Sequence, residues 1–118
     1  MHGPLDDPMA GKAFVNDCLD LLSVLGPVRS RAMFGGHGIY HQDRMFALIA
    51  YDVLYLKVDD GNRSAFEAAG SRPFVWEGKD GRKVPMSYWE MPPEGFEAPE
   101  RTEYWAGLAV AAAQRARP

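Results

Sequence analysis

Arg44-Met45-Phe46-Ala47-Leu48-Ile49-Ala50-Tyr51-Asp52-Val53-Leu54-Tyr55-Leu56-Lys57-Val58 is the stretch that decides the fold. Residues 45–50 are nearly all apolar, the pattern of a central strand buried on both faces. Tyr51-Asp52 reads as a turn. After it, Leu54 and Leu56 alternate with Tyr55 and Lys57, the two-residue period of a half-exposed strand. Strands joined by so short a turn must pair antiparallel. The stretch therefore predicts a hairpin at the centre of an antiparallel sheet.

Upstream, Gln42-Asp43 reads as a second turn, preceded by Ile39-Tyr40, the glycine cluster Gly35-Gly36-His37-Gly38 and a strand over 28–34. From Lys12 to Leu25, Phe14, Val15, Cys18, Leu21, Leu22 and Leu25 form one helical stripe. Gly26-Pro27 stops it, because Gly suits the left-handed position past a helix end and Pro cannot continue the helix. Residues 1–10 read as a loose arm, and 11–118 as one domain.

Downstream, Asp59-Asp60 is placed to cap a short helix that runs to Ala69, turns Phe66 to the core and ends at Gly70. Pro73–Glu77 reads as a strand, Lys79-Asp80-Gly81-Arg82 as a hairpin turn and Val84–Glu90 as the returning strand. Pro85 marks an edge or a bulge there. Pro92-Pro93-Glu94-Gly95 makes a loop. Pro99 opens a last helix through Tyr104, Trp105, Leu108, Ala109 and Ala112 to about Arg115. The predicted fold is α+β: a two-layer sandwich in which helices cover one face of an antiparallel sheet of five to six strands.

The chain of 118 residues is 47% hydrophobic and 25% charged, ordinary values for one globular domain. Its net charge of −3 makes it a poor generic binder of phosphate backbones, which need a cationic surface. A lone cysteine, Cys18, allows no intrachain disulfide and suits a reducing compartment. No secretory leader and no apolar run long enough for a membrane span is evident. A cytoplasmic location is expected.

The segment 29–40, Arg-Ser-Arg-Ala-Met-Phe-Gly-Gly-His-Gly-Ile-Tyr, has two readings. One is an anion or nucleotide cradle, with Arg29 and Arg31 beside a glycine turn. The other is a bulge or tight turn between strands. Its spacing fits neither the phosphate-loop nor the dinucleotide fingerprint. His37 and His41, on one face of a strand, stand about 13 Å apart at ~3.3 Å per residue, too far to share an ion unless a bulge intervenes. Cys18 lies on the apolar helix stripe, where a thiol behaves as a small hydrophobe. No serine sits in a nucleophile elbow. Hence no catalytic residue, metal or cofactor is assigned. Tyr55, Trp76, Tyr88, Trp89, Tyr104 and Trp105 are a heavy aromatic load, divided between core and contact surface. With Lys57, Arg82 and Lys83 they allow a stacking surface for single-stranded nucleic acid, which the acidic balance disfavours.

Several stretches together resemble one family. The run from Arg31 to Tyr40 looks like the RxMFGGxGxY signature of the TfoX N-terminal domain, and Leu54-Tyr-Leu-Lys57 resembles its LYLK strand. Asn62-Arg63 through Phe66 and Gly70, Pro73-Phe74, the MxYWxxP-like run Met86–Pro92, and Trp105-Ala106 follow in order over residues 12–113. The resemblance implies a secretion-chaperone-like two-layer α+β fold, which often dimerises. It also implies kinship with bacterial regulators of natural competence that act on transcription. Full-length relatives carry a second, C-terminal domain that has no counterpart here, so the expectation is a stand-alone N-terminal domain.

The function expected is a regulatory protein-interaction module and not an enzyme. The residues expected to carry it are Arg31, Gly35, Gly36, Gly38, Tyr55, Lys57, Tyr88 and Trp89, with core packing an open alternative for the last two. The partner expected is another protein, or a second copy of this chain. A small-anion or nucleotide site at Arg29, Arg31 and the glycine turn, and weak nucleic-acid binding, are the alternatives; no membrane partner is expected.

Overall fold

A computed structural model describes residues 11–33 and 35–116; the arm assigned to residues 1–10, and Phe34 at the end of the first expected strand, lie outside the described residues. The elements run α1 (Lys12–Leu22), β1 (Arg29–Met33), β2 (Gly36–His41), β3 (Arg44–Ala50), β4 (Val53–Lys57), α2 (Arg63–Ala68), β5 (Pro73–Glu77), β6 (Lys83–Glu90) and α3 (Pro99–Arg115). The six strands form one antiparallel sheet in the order β1-β2-β3-β4-β6-β5.

The hairpins follow from their turns. Gln42-Asp43 and Tyr51-Asp52 all take positive φ, between 52° and 66°. Such paired left-handed residues match the twist of the flanking strands, so two residues suffice for each reversal. α1 is shorter than the periodicity suggests: after Leu22 the chain tightens into a 3-10 turn over Ser23–Leu25 and stops at Gly26, φ 101°. α2 closes with Ser71 N–H donating to the Phe66 carbonyl and Gly70 N–H to the Glu67 carbonyl, with Gly70 at φ 76°.

Asp59 and Asp60 do not cap α2; Asn62 stands there without a side-chain cap. Its buried amide instead donates to the carbonyls of Lys57 (3.2 Å) and Leu108 (3.1 Å) and accepts from Asp59 N–H (2.9 Å). One side chain thus ties β4, α2 and α3. The Asp59 carboxylate meets the Arg115 guanidinium through two bonds, 2.7 and 2.8 Å, and is held below the usual carboxylate range chiefly by that contact.

One face of the sheet is covered. Val15, Cys18 and Leu22 of α1, spaced by three and four, pack with Trp105, Ala106, Ala109 and Ala113 of α3 onto Ile39, Ala47, Ile49, Leu54 and Leu56. The alanines let α3 lie close to the strands. Phe46 joins this core through a bulge: Ile39 opposes Ala47 and Tyr40 opposes Met45, so Phe46 is the extra residue and turns inward. The bulge lies in β3, so His37 and His41 on β2 remain four extended residues apart. The expected half-exposed β4 is more enclosed than its alternation suggests, because Tyr55 is covered edge-on by Phe74, 5.1 Å between ring centroids.

β6 outruns its neighbour. β4 pairs with Tyr88, Trp89 and Glu90, and Val58 N–H donates to the Ser87 carbonyl, leaving Lys83, Val84 and Pro85 paired with β5 alone. Pro85, in an interior strand by sheet order, therefore sits where one flank is empty and its missing N–H costs nothing.

Candidate functional site

Alternation along each strand sends every second side chain to the face that no helix covers among the described residues. On β1 these are Arg29, Arg31 and Met33, opposite Tyr40, Gly38 and Gly36 of β2. One file crosses the sheet as Arg31, Gly38, Leu48, Tyr55 and Glu90. Beside it, Lys57 opposes Tyr88. Phe74, Trp76 and Met86 of the β5–β6 hairpin complete the face.

These side chains enclose a groove of about 440 Å³ walled by Met33, Met45, Leu48, Tyr51, Phe74, Trp76, Met86 and Tyr88. That volume lies within the ~300–1,000 Å³ of ordinary binding pockets. Trp76 and Met86 are 48% and 39% exposed, although both are large and apolar. A second hollow, about 590 Å³ between α2 and the start of α3, has its carboxylate Glu94 already engaged with Trp105 Nε1 at 2.7 Å.

The glycines shape the groove for separate reasons. Gly35, φ 80°, makes the β1–β2 turn. Gly36 and Gly38 lie inside β2, not in a loop, and neither has a positive φ. A Cβ on Gly36 would stand 2.2 Å from the Ile49 carbonyl oxygen, so close backbone approach, not a left-handed conformation, demands glycine there. A Cβ on Gly38 would meet the sulfurs of Met33 and Met45 at 2.8 and 2.9 Å. Its absence lets two thioethers lie down over the strand.

Cationic groups gather at one end of this face. Lys57 Nζ stands 5.1 Å over the Tyr88 ring, and the Arg29 guanidinium 4.9 Å over the Tyr40 ring. The Tyr88 hydroxyl is pushed up to about 12 by burial and secondarily by Tyr40. It therefore stays a neutral hydrogen-bond donor throughout the physiological range. Arg29 is also bound to Asp43 at 2.9 Å.

Of the residues expected to carry function, Arg31, Gly36, Gly38, Tyr55, Lys57 and Tyr88 fall on this one face. Gly35 lies in the turn at its end. Trp89 does not join them: it points to the helix side, opposite Leu56, and packs on the core. Tyr55 is 8% exposed, so it is floor more than contact surface. Arg31 stands directly opposite Gly38 on β2, while Gly35 lies in the turn past the end of β1. Met45, Leu48, Phe74, Trp76 and Met86 were absent from the expected set. Their signal lay in the unbroken apolar run of β3 and in the alternation of the hairpin.

Cys18 is buried in α1, and its thiol is pushed up to about 12 by burial first and then by Asp17 and Asp52. At neutral pH such a thiol holds almost no thiolate. Among the described residues, no helix is long and apolar enough to cross a membrane.

The family model for the TfoX N-terminal domain matches residues 20–113. No curated protein matches the chain.

Proposed function

The chain belongs to the TfoX N-terminal domain family, and from that membership we propose that it is a regulatory protein-interaction module related to competence and transcription regulators, with the uncovered sheet face as its binding surface. The observation that carries the reading is the groove: large apolar side chains remain open to solvent on a face that also bears Arg31 and Lys57. A contiguous apolar patch rimmed by polar groups marks an interaction site, because leaving it in water is costly. The role proposed is binding without chemistry, since the one thiol is buried and poorly ionised. A cytoplasmic setting suits that reduced thiol.

Photo-crosslinking in the source cell tests the reading. A crosslinking amino acid at Leu48 on the open face should capture a discrete protein species that the same amino acid at Glu103, exposed on α3, does not capture. Identical adducts from both positions, or adducts only from Glu103, would remove the open face as the working surface.

A further inference from the structure

The open face has the composition of an internal layer. β3 sends Ala47 and Ile49 into the helix-side core and Met45, Leu48 and Ala50 to the other face. A sheet apolar on both faces is ordinarily sandwiched between two outer layers. Among the described residues only one outer layer exists.

Resting on the reading that this face binds a protein, we propose that the partner supplies the absent layer as one amphipathic α-helix, its apolar stripe in the groove and its carboxylates against Arg31 and Lys57. The broad face of a sheet, unlike its edge, offers no free backbone ladder to an incoming strand, whereas an apolar helix stripe fits a groove. Three of the walls are thioethers, Met33, Met45 and Met86. Unbranched, polarizable side chains adapt to the shape of a docked helix.

Charge fixes the polarity of the partner. Asp43 neutralises Arg29, and Glu90 faces Arg72 at 3.5 Å. Among the described residues Arg31 and Lys57 have no carboxylate within 4.0 Å. The chain as a whole carries −3, so this end of the face inverts the local sign. An acidic helix is steered to it and a basic one repelled. A nucleic acid would gain two phosphate contacts and leave the apolar groove unused.

Three synthetic peptides of about 18 residues, ~27 Å long as helices, test the idea. One has a Leu/Met stripe flanked by glutamates, the second replaces every glutamate by lysine, and the third scrambles the acidic sequence so that the stripe is lost. Titrated against the whole chain at low salt, the acidic amphipath should bind about tenfold more tightly than the lysine twin. It should shift backbone amide signals on β2, β3 and β6. The Arg31→Glu, Lys57→Glu double variant should reverse the preference; Arg31 is exposed, so Arg31→Glu alone gives the same reading, halved, should the double variant fold poorly. Equal binding of the lysine twin or the scrambled peptide, amide shifts confined to α1 and α3, a peptide-free dimer that protects Leu48, or displacement of the peptide by duplex DNA would each overturn the inference. Crosslinks from Leu48 together with no peptide binding would leave the open-face reading standing and sink the acidic helix alone.

Discussion

The two faces of this sheet are built from similar residues and end in opposite states. On the helix side, Ile39, Phe46, Ala47, Ile49 and Leu56 are 0% exposed. On the other, Trp76 and Met86 stay open to water, and Leu48 and Met45 are only half covered. Both faces come from the same strands, so neither propensity nor backbone pairing distinguishes them. What differs is whether α1 and α3 lie above. The covered face stores the free energy of folding; the uncovered one retains apolar area whose burial is available to a partner.

Substitutions should divide along that line. Phe46→Ala or Phe66→Ala, each emptying a fully buried site, should cost about 3–5 kcal/mol in urea unfolding and could leave the chain unfolded at 37 °C. Equal costs for Trp76→Ala would erase the distinction between the faces. Gly36→Val should cost roughly 1–3 kcal/mol, because a side chain must displace the Ile49 carbonyl of β3; an unchanged melting temperature would show that β2 can retreat freely. Asn62→Ala should cost about 1–3 kcal/mol, since it strands the Leu108 and Lys57 carbonyls and the Asp59 N–H.

On the open face the effects on stability shrink while those on binding grow. Met86→Ser should move stability by no more than about 0.5 kcal/mol yet weaken partner capture, measured side by side by thermal melt and pull-down. Arg31→Ala and Lys57→Ala should likewise keep wild-type melting and lose partner recovery. The smallest effect concerns the half-exposed Asp59–Arg115 pair. The Asp59 carboxyl is depressed when folded, so its contribution is present above the ordinary carboxylate range, near pH 4, and fades as pH falls through the folded value. The urea midpoint of the wild type should therefore drop more between pH 5 and pH 3 than that of Asp59→Asn; parallel curves would assign no role to the pair.

Much of the fold was legible because its signals are local. Gln42-Asp43 and Tyr51-Asp52 between apolar runs announce reversals, Gly26-Pro27 and Gly70 announce helix ends, and all four do what their chemistry requires. The misreadings have a shared cause. Asp59 and Asp60 look like caps, but Arg115, fifty-six residues away, claims the first. Gly36 looks like a turn residue, but Ile49 on the next strand dictates it. Tyr88-Trp89 looks like one aromatic surface, but adjacent strand residues point to opposite faces, so only Tyr88 reaches the groove.

By itself the sequence determined the antiparallel pairing of the turn-linked strands, the position of each turn, the α+β class and the kinship to the TfoX N-terminal domain, since periodicity and turn chemistry act within a few residues of chain, whereas the placing of β6 beside β4 came from the structure. Only the tertiary structure decided which apolar face receives the helices and which stays open, and with it the grouping of Arg31, Lys57, Tyr88 and three methionines from four separate strands. Helix docking is a contest between two faces of nearly equal hydrophobicity, and its outcome rests on contacts between residues far apart in the chain, which no local pattern encodes.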